Sequence, residues 1–402
     1  MTKALGFAMK KVALLFLLIP VVSAADSFYS AQALGMVSNF STSRSSGMGG
    51  ASMAVRERMS LSALNPASIH IDGLTTISAD YQYESVDAKS AASTVNTRDG
   101  RPSGFKFVLP IKYQLNLITS LTPILSSKYT LAIDGNLSDT AYQRKVIGYG
   151  GLSSGNLGLV YHFNKDLSLA GLVNLYFGTY NEDWKTDFTS SYYVDGTDEM
   201  TSHFRGIGGE LSVYYQPLTN FSLGALYRHG ADLHVETKTT LDDYYDTPVV
   251  SLTTEYPGAQ GAGFAWRIKK VVVAADYFQQ QWQNYRVRGM EGEKMNRYWR
   301  FGGGLEYNDT QAIYASYPRR MFFRLGAYHA QLPIKTATGE TIDESFVSFG
   351  VGLPFHANRG RIDMAFELGR RGDLQAGLYE ETIARLSFSI GANELWFHRP
   401  TR

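Results

Sequence analysis

The 402-residue sequence contains no cysteine. That excludes disulfides, thiolate metal sites and a lipid-modified cysteine anchor. It carries no excess of either charge: 38 Lys and Arg face 37 Asp and Glu, for a formal net charge of +1. Nucleic acid, which needs a broad basic field, is therefore not an expected partner. Beyond the first 24 residues no apolar run approaches the ~20 residues of a membrane helix. HExxH, EF-hand and phosphate-loop patterns are also missing, so no cofactor is expected and the chain does not read as an enzyme. What is abundant is 26 Tyr, 22 Phe and 39 Gly.

The chain opens with a secretory signal. Lys3, Lys10 and Lys11 precede an apolar stretch from Val12 to Val22, and Val22-Ser23-Ala24 is a small-residue cleavage site. Residues 1–24 are thus expected to be removed on export. Met9 is a second candidate start.

From about Leu74 the apolar period is two. Ile362, Met364, Phe366 and Leu368 alternate with Arg361, Asp363, Ala365, Glu367 and Gly369. Trp299, Phe301, Leu305 and Tyr307 alternate with Arg300, Gly302, Gly304 and Glu306. Leu169, Val173, Leu175 and Phe177 repeat the pattern. The second face mixes Gly and Ser with paired opposite charges, which suits the inside of a closed wall better than a surface in bulk water. Aromatics near strand ends (Trp184, Tyr192, Tyr193; Trp282, Tyr285; Tyr298, Trp299; Trp396, Phe397) read as interfacial girdles. An exported chain of this kind is an all-β transmembrane antiparallel barrel, in the cell outer membrane. Counting alternating runs gives about 14 strands, over residues 74–397. Short turns are expected at Asn164-Lys165-Asp166, Pro217–Asn220 and Lys269-Lys270. Long outer loops are expected near 85–103, 181–203, 239–257, 286–296 and 371–379. An even count leaves no open edge and puts both chain ends on the periplasmic side, with 398–402 as a tail.

Residues 25–73 fall outside this wall. They are too weakly polar for a disordered tail and read as a plug of the lumen. The stretch holds "SSGMGGA", Ser45 to Ala51, and "NPAS", Asn65 to Ser68. Gly47, Gly49 and Gly50 permit positive φ and close packing. Pro66 removes a backbone donor and biases Asn65 toward an extended backbone.

These two motifs ahead of the first strand, together with "FRGIGGELSVYYQPLTNFSLGALYRHGADLHVE" and "YPGAQGAGFAWRIKKVVVAADYFQQQWQNY", resemble the long-chain fatty acid transporter (FadL) family of outer-membrane proteins. The resemblance spans about Gly47 to Phe397. It implies a 14-stranded barrel plugged by an N-terminal hatch. Hydrophobic compounds such as fatty acids would be caught at outer loops and released sideways through a gap at a kinked third strand. It implies that Asn65, Pro66 and Ala67, with Gly47, Gly49 and Gly50, form the gating part of that hatch. The implied partners are a hydrophobic small molecule or fatty acid, outer-membrane lipid, and the barrel assembly machinery during biogenesis, with the barrel a monomer. Relatives of this barrel also serve type IX secretion, which gives the alternative of a shuttle that binds protein partners.

An acidic ligand would need a luminal cation. Arg300, Arg324 and Arg385 are on inward faces, although Glu306, Asp363 and Glu367 are placed to neutralise them. Gly151-Leu152-Ser153-Ser154-Gly155 matches G-x-S-x-G, but that motif needs a strand, a turn and a helix, and here it reads as a loop between strands. His162, His203, His229, His234 and His329 show no nucleophile pairing. Asp195, Asp198 and Glu199, and Asp242, Asp243 and Asp246, read as solvated loop clusters rather than Ca²⁺ sites.

Overall fold

The structure is a computed structural model, and it describes residues 27–31, 35–38, 42–59, 61–62, 64–69, 73–90, 94–112, 114–137, 140–242, 245–285, 295–335, 339–374 and 379–396. The signal region, Phe397 and the 398–402 tail lie outside the described residues.

Fourteen antiparallel strands form one closed ring. They are β1 Thr75–Lys89, β2 Thr94–Lys112, β3 Leu115–Leu137, β4 Thr140–His162, β5 Leu167–Phe188 and β6 Gly196–Leu218. β7 comes in two parts, Phe221–Arg228 and Ala231–Leu241, as does β8, Val250–Tyr256 and Ala259–Ile268. Then follow β9 Val271–Gln281, β10 Arg297–Asn308, β11 Phe322–Lys335, β12 Thr341–Phe355, β13 Gly360–Arg371 and β14 Glu380–Glu394. β14 pairs with β1 from Glu380↔Lys89 to Glu394↔Thr75, closing the wall. The breaks in β7 and β8 face each other: Arg228 pairs with Ala259 on one side of the break and Ala231 with Tyr256 on the other.

Period two sorts the side chains. Leu157, Leu159, Val173, Leu175, Phe177, Leu305, Phe349, Phe366 and Leu368 are exposed on the outer face. Asp80, Lys106, Glu210, Asp276, Glu306, Arg324, Asp363 and Glu367 are buried inside. An apolar outer belt over a charged interior is the inverse of a soluble sandwich and fits a lipid-facing barrel. No helix among the described residues is long and apolar enough to cross a membrane.

Several expectations need correction. The outer connections are shorter than read, because strands continue past the belt. β1 runs to Lys89 and β2 restarts at Thr94; β5 runs to Phe188 and β6 starts at Gly196. β3, β4 and β6 have 23 residues each and β5 has 22, against the ~9–11 that span a bilayer. The excess stands above the belt as paired strand, and its polar side chains hid its continuity. Alternation across 104–121 likewise hid the Lys112↔Leu115 hairpin. The 151–155 pentapeptide is mid-strand in β4, not a loop. At the inner end, the short turns at 163–166, 219–220 and 269–270 are as expected. The connection between β10 and β11 is long and holds one helical turn, Tyr317–Arg320.

The girdle reading holds only in part. Trp184 and Trp396 are exposed, but Trp282, Tyr285 and Tyr298 are buried. These three belong to a luminal apolar cluster that includes Tyr29, Tyr129, Tyr176, Tyr256, Tyr328 and Phe346. Aromatic residues serve either face of a barrel wall, so their position near a strand end does not decide between belt and core.

Candidate functional site

The described parts of residues 27–69 lie inside the ring. Their path starts at the outer end, where Ser27 Oγ donates to Glu381 at 2.7 Å beside the β13–β14 connection. The expectation that both chain ends share one rim is corrected here: β1 begins and β14 ends at the inner rim, but the described segment ahead of β1 begins at the opposite one.

Glycines on two elements seat the middle of this segment. Gly49 has φ +64° and Gly50 φ +84°. A Cβ on Gly302 of β10 would stand 1.9 Å from the Gly49 carbonyl oxygen, and one on Gly326 of β11 2.2 Å from the Gly49 nitrogen. Gly47 packs on Gly350 of β12, where a Cβ would come within 3.0 Å. Thus "SSGMGGA" lies in a trough made by Gly302, Gly304, Gly326 and Gly350. The run "GGG" at 302–304 was the available signal for that trough.

Charge holds the segment from below. Arg44 donates to both carboxylate oxygens of Glu306 at 2.8 Å and pairs with Glu57 at 2.7 Å. Glu57 also meets Arg361 at 3.1 Å. Arg324 bridges Glu306 and Asp363, each at 2.7 Å, and Arg361 reaches Asp363 at 2.7 Å. Three arginines and three carboxylates thereby neutralise one another out of water. Burial pushes the Glu57 carboxyl up, but the guanidinium groups of Arg361 and Arg44 more than reverse this and hold it down at about 2. Arg44 is shifted up: burial opposes its charge, and Glu306 and Glu57 outweigh that. On β9, Asp276 accepts from the Ser52 and Met53 backbone N–H groups at 2.6 and 2.8 Å.

Asn65 is fully buried. Its Nδ2 donates to the carbonyls of Met53 at 2.6 Å and Val213 of β6 at 2.9 Å, while its Oδ1 accepts from the Ala67 N–H at 3.0 Å. Pro66 begins the 3₁₀ turn Pro66–Ser68. The Asn-Pro-Ala stretch therefore ties the segment's return pass to β6. Pro66 also borders a very small cavity shared with Lys106, Ile118, Thr122 and Ile124 of β2 and β3.

Of the three candidate ligand cations, Arg324 is committed to Glu306 and Asp363. Arg385 is committed to Glu84 at 2.7 Å, with Glu367 at 3.7 Å. Arg300 is buried, faces the Tyr328 ring at 5.9 Å and reaches the Gly50 carbonyl at 3.4 Å. It serves the glycine turn. The structure does bring two serine–histidine pairs together: Ser345 and His329 at 2.8 Å, on the exposed outer face of β11 and β12, and Ser168 and His162 at 2.6 Å. Ser168 is fully buried and also accepts from Arg56 at 3.2 Å, so no substrate can approach its hydroxyl. Among the described residues no group of three or more metal-ligating side chains is present. Asp195 accepts from the Phe188 N–H, Asp198 from the Asp242 N–H, and Asp246 pairs with Lys238; Asp243 lies outside the described residues.

The wall itself has a gap. β2 pairs with β1 from Thr94 to Val108, but with β3 only from Lys112↔Leu115 to Phe105↔Leu121. Above that point β3 bulges between Pro123 and Leu125. Its free edge is taken by a two-residue strand, Met36–Val37, pairing with Ser126 and Leu125. The Ser38 N–H adds a bond to the Ile124 carbonyl at 3.0 Å, and Ser30 exchanges bonds with Ser127 and Lys128. From β2, side chains reach across: Arg101 to Ser126 and Asp99 to Lys128, each at 2.9 Å.

A family model described as BamG matches residues 7–401. The chain belongs to the BamG family. No curated protein matches it. Among solved structures, this BamG-family barrel is similar to the Ralstonia pickettii toluene transporter TbuX, with TM-score 0.60, 15% identity and coverage of 89% of this chain and 99% of that one. It is similar to a Pseudomonas aeruginosa FadL homologue, with TM-score 0.62, 14% identity and coverage of 90% and 100%. The Pseudomonas putida toluene transporter TodX gives TM-score 0.58, 15% identity and the same coverage as the FadL homologue. At these identities the likeness is one of fold. It bears out the resemblance to the FadL barrel and the 14-strand architecture.

Proposed function

We propose that this barrel admits hydrophobic compounds across the outer membrane, with the gap between β2 and β3 as the side passage. One observation carries the reading: the ladder between these strands stops at Phe105↔Leu121, and apolar side chains stand behind the opening. Met36, Ile124, Leu125, Tyr129 and Leu152 belong to one buried cluster there. Lipid does not tolerate an open sheet edge, so whatever covers the β3 edge is the element that must move. Here that element is Met36–Val37 with its neighbours. The hatch of the FadL resemblance then divides into two parts. Residues 42–69, including Gly47, Gly49, Gly50 and Asn65–Ala67, are its anchored body. Residues 27–38 are its moving edge. The names of the structural neighbours, toluene transporters and a FadL homologue, support a hydrophobic cargo, whether a fatty acid or an aromatic hydrocarbon.

A second reading has its own support. The family name points to association with the barrel-assembly machinery, and a lumen so filled by its own side chains suits a subunit of a larger assembly. One experiment separates the two. A transporter-null host expressing this protein is tested for saturable uptake of radiolabelled oleate and toluene, and the membrane-extracted protein is tested for co-purification with the assembly machinery. Uptake that disappears when a disulfide is engineered between position 36 and position 126 supports the passage. Absent uptake with stoichiometric co-purification supports the assembly reading and ends the transport one.

A further inference from the structure

At the inner mouth of the ring lies a cavity of about 740 Å³, bounded above by the anchored part of the luminal segment. Its lining holds eight basic side chains and two acidic ones, Glu57 and Glu306. Both acids are already consumed by the Arg44, Arg324 and Arg361 network. Arg320 reaches only Asn358 Oδ1 at 3.5 Å and the Tyr317 ring. Its Nε is buried without an acceptor, as is the Nε of Arg56. The other Arg56 nitrogens go to the Lys165 carbonyl and Ser168, and its guanidinium lies 4.3 Å over the Tyr214 ring. Arg267 and Arg359 are exposed at the same mouth. Lys270 is paired with Asp309. Val55, Met59, Leu74, Ile313 and Phe322 supply an apolar floor. Among the described residues no carboxylate hydrogen-bonds Arg56, Arg267, Arg320 or Arg359, although Asp166 acts on Arg56 through space; guanidinium groups so held in a concave, partly apolar site form a receptor for carboxylates.

We infer that this mouth docks an acidic segment of a periplasmic protein, carboxylates on Arg56, Arg320, Arg267 and Arg359 and an apolar side chain on the floor. Charge complementarity selects the partner, and topology selects a protein segment over a membrane lipid. The cavity is inside the ring, and below the gap the wall ladder is continuous, so a lipid anchored by its tails in the surrounding bilayer cannot place its headgroup there. A cavity of this size takes a drug-sized ligand, more than one inorganic anion. The inference is independent of what crosses the wall.

The test uses the full chain in detergent micelles and a fluorescein-labelled peptide of alternating Asp and Glu around one Leu. Saturable binding that weakens with added salt is expected. Arg320→Gln with Arg359→Gln should weaken it at least about tenfold, and Arg267→Gln, on an exposed side chain, several-fold. Arg98→Gln, on the outer extension of β2, should leave it unchanged. Heat-modifiable gel mobility confirms that each variant remains a folded barrel. No saturable binding, equal binding of a Lys peptide, or undiminished binding in both variants overturns the inference. Complete displacement by inorganic phosphate reduces the site to a small-anion site and likewise overturns it.

Discussion

Glu57→Gln is the most direct test of what holds the luminal segment. The substitution keeps the shape but removes the charge that Arg44 and Arg361 share. Breaking one side of a buried ion pair costs about 3–5 kcal/mol. The carboxyl itself gives a second figure: its fall from 4.5 to about 2 corresponds to about 3 kcal/mol. That energy separates seated from unseated segment, not folded from unfolded wall, because Glu57 is not on a strand. The absence of native cysteine makes the assay clean. Ser46→Cys, buried in the seated segment, is labelled with a maleimide in the otherwise native protein and in Glu57→Gln. About 3 kcal/mol raises the opened population, and hence the labelling rate, by roughly a hundredfold. Acid should act in the same direction. The seated form has the lower pKa, so Glu57 stabilises it fully above about pH 4.5. That contribution is lost as pH falls from there toward 2. Hydrogen exchange across 43–59, normalised to an unfolded control, should show this loss in the native protein and not in Glu57→Gln. A labelling change under about threefold would refute the claim that this network anchors the segment.

Four further outcomes follow from the same geometry. Asn65→Ala removes the amide donor to the Met53 and Val213 carbonyls and leaves the Ala67 N–H only the longer bond to Ser212, at a cost of about 1–3 kcal/mol, and should raise labelling of Ser46→Cys about tenfold or more while heat-modifiable mobility persists. Gly302→Ala puts a methyl group into the Gly49 carbonyl and should unseat the segment, whereas Gly155→Ala, whose nearest atom would be 3.5 Å away, should not. Deleting Asn65–Ala67 should impair uptake with barrel insertion intact, and normal uptake in that deletion would remove these residues from any gating role. Arg324→Ala should lower barrel stability against heat without a selective loss of acidic over neutral cargo, since its guanidinium is spent on Glu306 and Asp363.

The wall was legible because period two is a local property. Ile362, Met364, Phe366 and Leu368 announce their outer face without knowledge of any partner strand. Strand limits were less legible, because above the lipid belt the outer face turns polar, as at Asn181, Asp183 and Lys185, and the period fades although the ladder continues. The neutralising role of Glu306 and Asp363 could be read from alternation alone. The contributions of Arg44, Glu57 and Asp276 could not, since, except for Arg44–Glu57, those pairings join residues more than two hundred positions apart and depend on the path of an irregular segment. Asn65 was visible as a motif, but its acceptor on β6 was not. The gap between β2 and β3 is a register event. Most of Thr94 to Gly104 reads as loop from the sequence, yet it continues the strand of Phe105 to Lys112, and only its lack of pairing with β3 marks the gap.

The route of the luminal segment bears on how the barrel comes to exist. Ser27 is fixed near the outer end and β1 starts at the inner end, so the chain ahead of the wall runs most of its height. On the way Ser43 bonds to Ser389 of β14, whose hydroxyl also meets Asp80 of β1. First and last strands thus share a polar contact with the segment at the seam where they join. A seam zipped before the segment arrived would leave Asp80 and Ser389 facing an empty core, and Arg44 would then have to be dragged past a finished ring to reach Glu306. The economical order is the reverse: the segment lies down on the open sheet of β10 to β13 first, and the wall wraps it and locks. On that account residues 42–69 are the mandrel on which the barrel is wound.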